Sequence, residues 1–188
     1  MRPRLRAVAA IVLLPSTCLV ALYAQAPSGK PAAAPVVVLT TARGVIEIET
    51  FPAEAPTSVA RFVELARAGF YRGTRFHWVQ AGVAQVGDQL SRDMTKRDLW
   101  GTGGSGYKMS VRPIGVAELS MRRFERGIVG LAYRSGQKPE QADSQIFILT
   151  HPNPALNGKY AAIGRVITGM GVVDKIVVTD MIKNVTVR

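Results

Sequence analysis

A mostly β fold is predicted: eight short strands in a closed or nearly closed β-barrel, capped by two α-helices. Three observations point to it. Apolar, β-branched runs of strand length recur between turns marked by glycine, proline and asparagine. Helical spacing appears in only two places, after Thr57 and after Gly169. No internal repeat is present, and about 150 residues remain for one core once the amino terminus is set aside.

Taken in order, Val36 to Thr40 is β-branched and reads as a strand, and Ala42-Arg43-Gly44 turns the chain. Val45 to Glu49 alternates apolar with acidic residues, as a half-buried partner strand does. From Thr57 the period changes. Val59, Phe62, Val63 and Ala66 mark one helical face, and Gly69 lies where a glycine stops a helix. Arg75 to Asp88 (RFHWVQAGVAQVGD) reads as strand, bend, strand. Residues 89–127 carry little regular signal. Their glycine run, Gly101 to Gly106, lacks the Gly-Lys-Ser/Thr of a phosphate loop and reads as plain loop. Strands are expected over Gly127–Ala132, Gln145–Thr150, Tyr160–Val166 and Met181–Val187. A short helix over Gly169–Ile176 should bury Val172, Val173 and Ile176.

The amino terminus belongs to a different class. Arg2, Arg4 and Arg6 precede an apolar run to Ala24, so residues 1–24 read as a secretory signal peptide. The run of about 18 residues is also at the lower limit for an uncleaved anchor. Either reading places the domain outside the cytoplasm, periplasmic or secreted, with an anchor tethering it to the inner membrane. Residues 25–35 are rich in Pro and Ala and read as a flexible linker, leaving 36–188 as the folded domain. Cys18 is the only cysteine, so the domain has neither disulfide nor thiol chemistry. The net charge is +11, of which three positive charges lie in the signal. The remaining basic residues are mostly scattered, as on a solvated surface beside an anionic envelope, and no nucleic-acid partner is expected.

Seven sequence blocks follow one another along the domain. They are Thr41–Glu49 (T-x-x-G-x-I-x-I-E), Phe51–Phe62 (F-P-x-x-A-P-x-x-V-x-x-F) and Gly69–His77 (G-F-Y-x-G-T-x-F-H), then Arg126–Ala132 (R-G-x-V-G-x-A) and Ser144–Ile148 (S-Q-x-F-I). Leu156–Val166 (L-x-G-K-Y-x-x-x-G-R-V) and Gly169–Ile176 (G-M-x-V-V-D-K-I) complete them. The chain therefore resembles the cyclophilin-type peptidyl-prolyl cis-trans isomerases, in an exported bacterial form. The resemblance implies an eight-stranded barrel with two capping helices, proline-containing polypeptides as substrates, no cofactor or metal, and a monomer.

Carried over position by position, the resemblance makes His77 the histidine that supports the site. It makes Gln85 and Gln145 the glutamines that hold substrate backbone and position the family's arginine. Leu131, Ala132 and Tyr133 match the edge that hydrogen-bonds the peptide. Phe147 and Leu156 match the proline pocket, and Tyr160 lies where the family has His or Tyr. The departures fall on the same site. Trp78 stands at the arginine position, and an indole N–H donates one hydrogen bond without charge. The segment between His77 and Gln85 is one residue short, so the pocket phenylalanine position is Gly82 or Val83. Ala155 stands at a common tryptophan position, and Val86 at the first glycine of Gln-Gly-Gly-Asp. Two functions are thus expected: an isomerase of exported proteins with reduced activity, or a catalytically impaired module that binds proline-containing or extended segments of an envelope partner.

Overall fold

Burial with period two runs through the first hairpin. In the computed structural model, which describes residues 33–106, 108 and 110–188, β1 (Val36–Thr41) buries Val37, Leu39 and Thr41. Its partner β2 (Gly44–Thr50) buries Ile46, Ile48 and Thr50. Ala42 and Arg43 form the turn, and the Thr41 hydroxyl secures it by donating to the Gly44 carbonyl (2.9 Å) and accepting from the Arg43 N–H (3.0 Å). The segments read from the sequence as signal and linker lie, up to residue 32, outside the described residues.

Helix α1 (Pro56–Arg67) buries Val59, Phe62, Val63 and Ala66, the face set by their spacing. Pro56 opens it, where a missing N–H costs nothing. Ala55 offers no side-chain cap. The Glu118 carboxylate takes that role from the long loop, accepting the N–H groups of Thr57 (2.8 Å) and Ser58 (2.7 Å). At the other end Gly69 adopts a left-handed φ of 71°, its N–H bonding to Ala66 and that of Phe70 to Leu65. This is the paired closure that satisfies the last carbonyls of a helix.

The remaining elements are β3 (Trp78–Gln80), β4 (Val83–Val86), β5 (Ile128–Leu131), β6 (Ile146–Leu149), β7 (Ala162–Thr168), α2 (Met170–Val173) and β8 (Ile182–Val187). The eight strands form one antiparallel sheet in the order β3-β4-β6-β5-β7-β2-β1-β8. Short hydrogen-bonded contacts also join the segment before β3 to the start of β8 and the residues just before it. The Gly73 N–H reaches the Ile182 carbonyl (2.8 Å), the Ile182 N–H reaches Thr74 (2.9 Å), and the Phe76 N–H reaches Asp180 (2.8 Å).

Two elements differ from the sequence reading. Helix α2 is a single turn, because after Asp174 bonds to Met170 the next N–H groups reach back only three residues, Lys175 to Val172 and Ile176 to Val173. Val173 and Ile176 are buried as expected, and Val172 packs on Gly44, where a Cβ would lie 2.7 Å from its Cγ2. The segment after Asp88 is more regular than predicted. It holds 3-10 turns at Gln89–Arg92 and Met94–Leu99, started by the carboxylates of Asp88 and Asp93. No helix among the described residues is long and apolar enough to cross a membrane.

Burial works against ionisation of Glu118, but the Ser58 and Thr57 N–H groups outweigh it and hold the carboxyl below its usual range. Its contribution is therefore complete above the ordinary glutamate value of about 4.3 and fades as pH falls through the lower folded value. Glu118→Ala is expected to destabilise the domain by about 0.5–2 kcal/mol near neutral pH. Urea unfolding should show the gap between variant and wild type closing in acid.

Candidate active site

The site starts from a tight hairpin. Trp78 pairs with Gln85, Val79 with Ala84 and Gln80 with Val83, leaving Ala81 and Gly82 as the whole turn. Both turn residues have positive φ, 52° and 79°, the geometry a two-residue hairpin needs to match strand twist. This register settles which position lines the pocket. Gly82 is in the turn against His151, while Val83 lies on the cavity wall.

Alternation along the strands then gathers one cross-strand row. Trp78 faces Gln85, Gln85 faces Phe147, and Phe147 faces Gly130. Above the row is a cavity of about 230 Å³, with Trp78, Val83, Gln85 and Phe147 on one side. Ala132, Tyr133, Leu156 and Tyr160 complete its wall. Eight of the eleven residues singled out in the sequence thus meet in one place. The other three do not line it. Leu131 is 2% exposed and belongs to the main core, its N–H committed to the Ala161 carbonyl. Gln145 and His77 lie behind the wall, as described below.

A chain of aromatic contacts shapes the cavity. Phe124 stacks on Phe147 (6.1 Å between centroids), Phe147 meets Tyr160 edge to face (5.3 Å), and Tyr160 stacks on Tyr133 (4.6 Å). The Tyr133 hydroxyl donates to the Lys159 carbonyl (3.0 Å), and burial pushes the Tyr160 hydroxyl pKa up. Gly130 makes room for Phe147: a Cβ there would lie 2.2 Å from its Cζ. The signal for Gly130 in the sequence was an unexplained glycine inside a strand.

No charged side chain lines this cavity among the described residues. Arg75 is turned away, donating to the Thr179 carbonyl (3.1 Å), and Arg134 borders a smaller neighbouring cleft with Gln137 and Asp143. Among the described residues, the lining side chains that carry an N–H are Trp78, 49% exposed, and Gln85.

Behind the row, the Gln85 amide nitrogen donates to Gln145 Oε1 (2.8 Å). Gln145 Nε2 donates in turn to the carbonyls of Gly101 (3.0 Å) and Gly103 (2.8 Å). Asp88, fully buried, accepts from the N–H groups of Leu90, Gly101 and Gly103. Sequence reasoning assigned Asp88 and these glycines no role, because the partners in these contacts are backbone groups. His77 lies against Gly101, with both ring nitrogens buried and without a hydrogen-bond partner among the described residues. Burial pushes its pKa below the ordinary value, with the Asp88 charge opposing. The ring is therefore neutral near pH 7.

Two outcomes follow from this geometry. Because the folded imidazole resists protonation, the unfolded chain takes up the proton first, and stability falls as pH drops below about 6.5. His77→Gln should reduce that slope in urea unfolding at a series of pH values. Gly130→Ala should drive Phe147 off its site, destabilising the fold by about 1–3 kcal/mol. Calorimetric titration with a proline-containing peptide should then show binding weakened by about tenfold or more.

The family model described as cyclophilin type peptidyl-prolyl cis-trans isomerase matches residues 36–188. The chain is 42% identical over 144 residues to a protein of Brucella abortus (strain 2308) named probable peptidyl-prolyl cis-trans isomerase, covering 74% of this chain and 70% of that one. It is 32% identical over 143 residues to peptidyl-prolyl cis-trans isomerase B of Bacillus subtilis (strain 168), covering 76% and 90%. Among solved structures, a Cryptosporidium parvum cyclophilin-type isomerase crystallised in the presence of the dipeptide Ala-Pro superposes with a TM-score of 0.65 at 24% identity, covering 81% of this chain and 98% of that one. The ordered sequence blocks, the antiparallel sheet and these similarities agree: the chain belongs to the cyclophilin-type peptidyl-prolyl cis-trans isomerases.

Proposed function

We propose that this isomerase acts on X–Pro bonds of exported polypeptides and turns them over more slowly than a member with an arginine at position 78. The observation that carries the reading is the aromatic cavity with no cation on its wall. Rotation about the peptide bond must break amide resonance, a barrier of about 18–20 kcal/mol. No bond to carbon is made or cut, so neither nucleophile nor metal is needed. The protein's share is to hold the proline ring, hold the flanking backbone and stabilise the twisted state, in which the nitrogen regains a lone pair.

In this reading Phe147, Leu156, Val83 and Tyr160 take the ring, and Gln85 and the Ala132–Tyr133 edge take the flanking chain. The Trp78 indole N–H supplies a neutral donor beside the amide, and its face packs on the proline ring as aromatic residues do in proline-rich recognition. The contacts between residues 73–76 and 179–182 support a sheet closed into a barrel, which would hold both halves of the cavity rigid. Export, through a signal segment at residues 1–24 or an anchor there, and a monomeric state complete the proposal.

A protease-free exchange measurement on a proline tetrapeptide tests it. The wild type should accelerate isomerisation measurably, and Trp78→Arg should raise kcat/KM by about 10²–10³, the worth of one preorganised donor. Wild-type exchange no faster than the spontaneous rate would reject the catalytic reading. Peptide affinity without turnover would instead favour the second reading, a binding module, which the intact aromatic chain from Phe124 to Tyr133 supports.

A further inference from the structure

Asp88 is a carboxylate with no solvent exposure, and its partners are backbone N–H groups. One oxygen accepts from Leu90 (2.8 Å), and the other holds both Gly101 and Gly103. The loop fits around it closely: a Cβ at Gly103 would lie 2.3 Å from Asp88 Oδ1, and Gly101 adopts a φ of 86°. With its N–H groups pinned on one side, this loop turns the carbonyls of Gly101 and Gly103 toward a single point, which is occupied by Gln145 Nε2.

Two carbonyl oxygens facing one amide fix which end of that amide meets them. The NH2 of Gln145 has two hydrogens and spends both; were the amide reversed, its oxygen would face two acceptors. Gln145 therefore presents Oε1 to Gln85, which must answer with its own NH2. Gln85 keeps its carbonyl oxygen without a partner among the described residues, on a side chain that lines the cavity and pairs with Trp78 across the hairpin. The polarity of a cavity-lining amide is thus decided some distance away, by a buried carboxylate.

We infer that Asp88 is a positioning residue: through the Gly101–Gly103 loop and Gln145 it fixes Gln85 with its oxygen as the acceptor for a backbone N–H of the bound peptide. The inference rests on the proposed function for its consequence in turnover, but not for the relay itself. It also selects substrate chemistry. The residue beside the Gln85 oxygen must bring an N–H, so a peptide with that amide N-methylated, or with a second proline there, binds more weakly.

The test uses the full chain labelled with 15N and the variant Asp88→Asn, which keeps the shape but turns one acceptor into a donor. The side-chain NH2 signals of Gln85 and Gln145 should shift and exchange faster with solvent, and kcat/KM should fall by up to about 10²-fold. If Asp88→Asn does not fold, Gly101→Ala disturbs the same loop more gently, since its Cβ would meet only the His77 ring at 3.5 Å. Gly115→Ala is the control. It carries the same kind of left-handed strain (φ 79°) with nothing within 4 Å, and should leave both NH2 signals in place. Unchanged Gln85 signals in the loop variants, or signals that shift equally in Gly115→Ala, would overturn the relay. A wild type without turnover but with the expected NH2 shifts would reject the proposed function and leave the relay standing.

Discussion

One cross-strand row, Trp78–Gln85–Phe147–Gly130, organises both the core beneath and the cavity above. Its members come from four strands and three distant parts of the chain. They meet only because β4 pairs with β6 and β6 with β5 in a fixed register. A shift of one residue in either pairing would turn Phe147 to the opposite face and bring Ile146 or Ile148 in its place. The second apolar cluster, with Phe124, Ile128, Phe147 and Leu149, holds that register, because a slip would expose it. Gly130 is part of the same constraint, since any side chain there would occupy the space of the Phe147 ring.

The electrostatics of the site follow from which groups the row contains. Among the described residues, none that lines the cavity is an acid or a base of the Asp, Glu, Lys or Arg kind, and the polar groups are the Trp78 indole, the Gln85 amide and two tyrosine hydroxyls. One of those hydroxyls, that of Tyr133, is already committed to the Lys159 carbonyl. A low-dielectric pocket magnifies whatever dipoles it holds, so a fixed charge placed here would be felt more than on an open surface. The apolar lining and the polar groups come from different residues of one cavity, and the two can change independently.

Strands and helices were legible because period-two and period-3.6 patterns are written directly in side chains, as in Val36–Glu49 and Val59–Ala66. Most of the wall residues were legible too, through the blocks around Leu131–Tyr133, Ser144–Ile148 and Leu156–Tyr160. What escaped the sequence has a common physical origin. Glu118 caps a helix 60 residues earlier, and no local pattern announces such a partner. The choice between Gly82 and Val83 needed a register, because either position is compatible with a chain one residue shorter. Asp88, Gly101 and Gly103 act through backbone N–H and C=O groups that every residue type carries. The glycine run was correctly read as loop, yet its two inward carbonyls were invisible.

Within the hairpin, β3 is the strand on which the core depends least. β3 lies at the end of the strand order, and both Trp78 and Gln80 are exposed. With Ala81-Gly82 as its turn, the hairpin keeps Ala84 and Val86 fully buried and pairs all of β4 with β6. Exchanges at such exposed positions usually change stability by no more than about 0.5 kcal/mol. A change at Trp78 therefore meets little resistance from folding while acting directly on the cavity wall. A substitution at Phe147 or Gly130 would disturb both at once. The end strand thus leaves position 78 open to variation without loss of the sheet, and an indole there is compatible with the fold of the family.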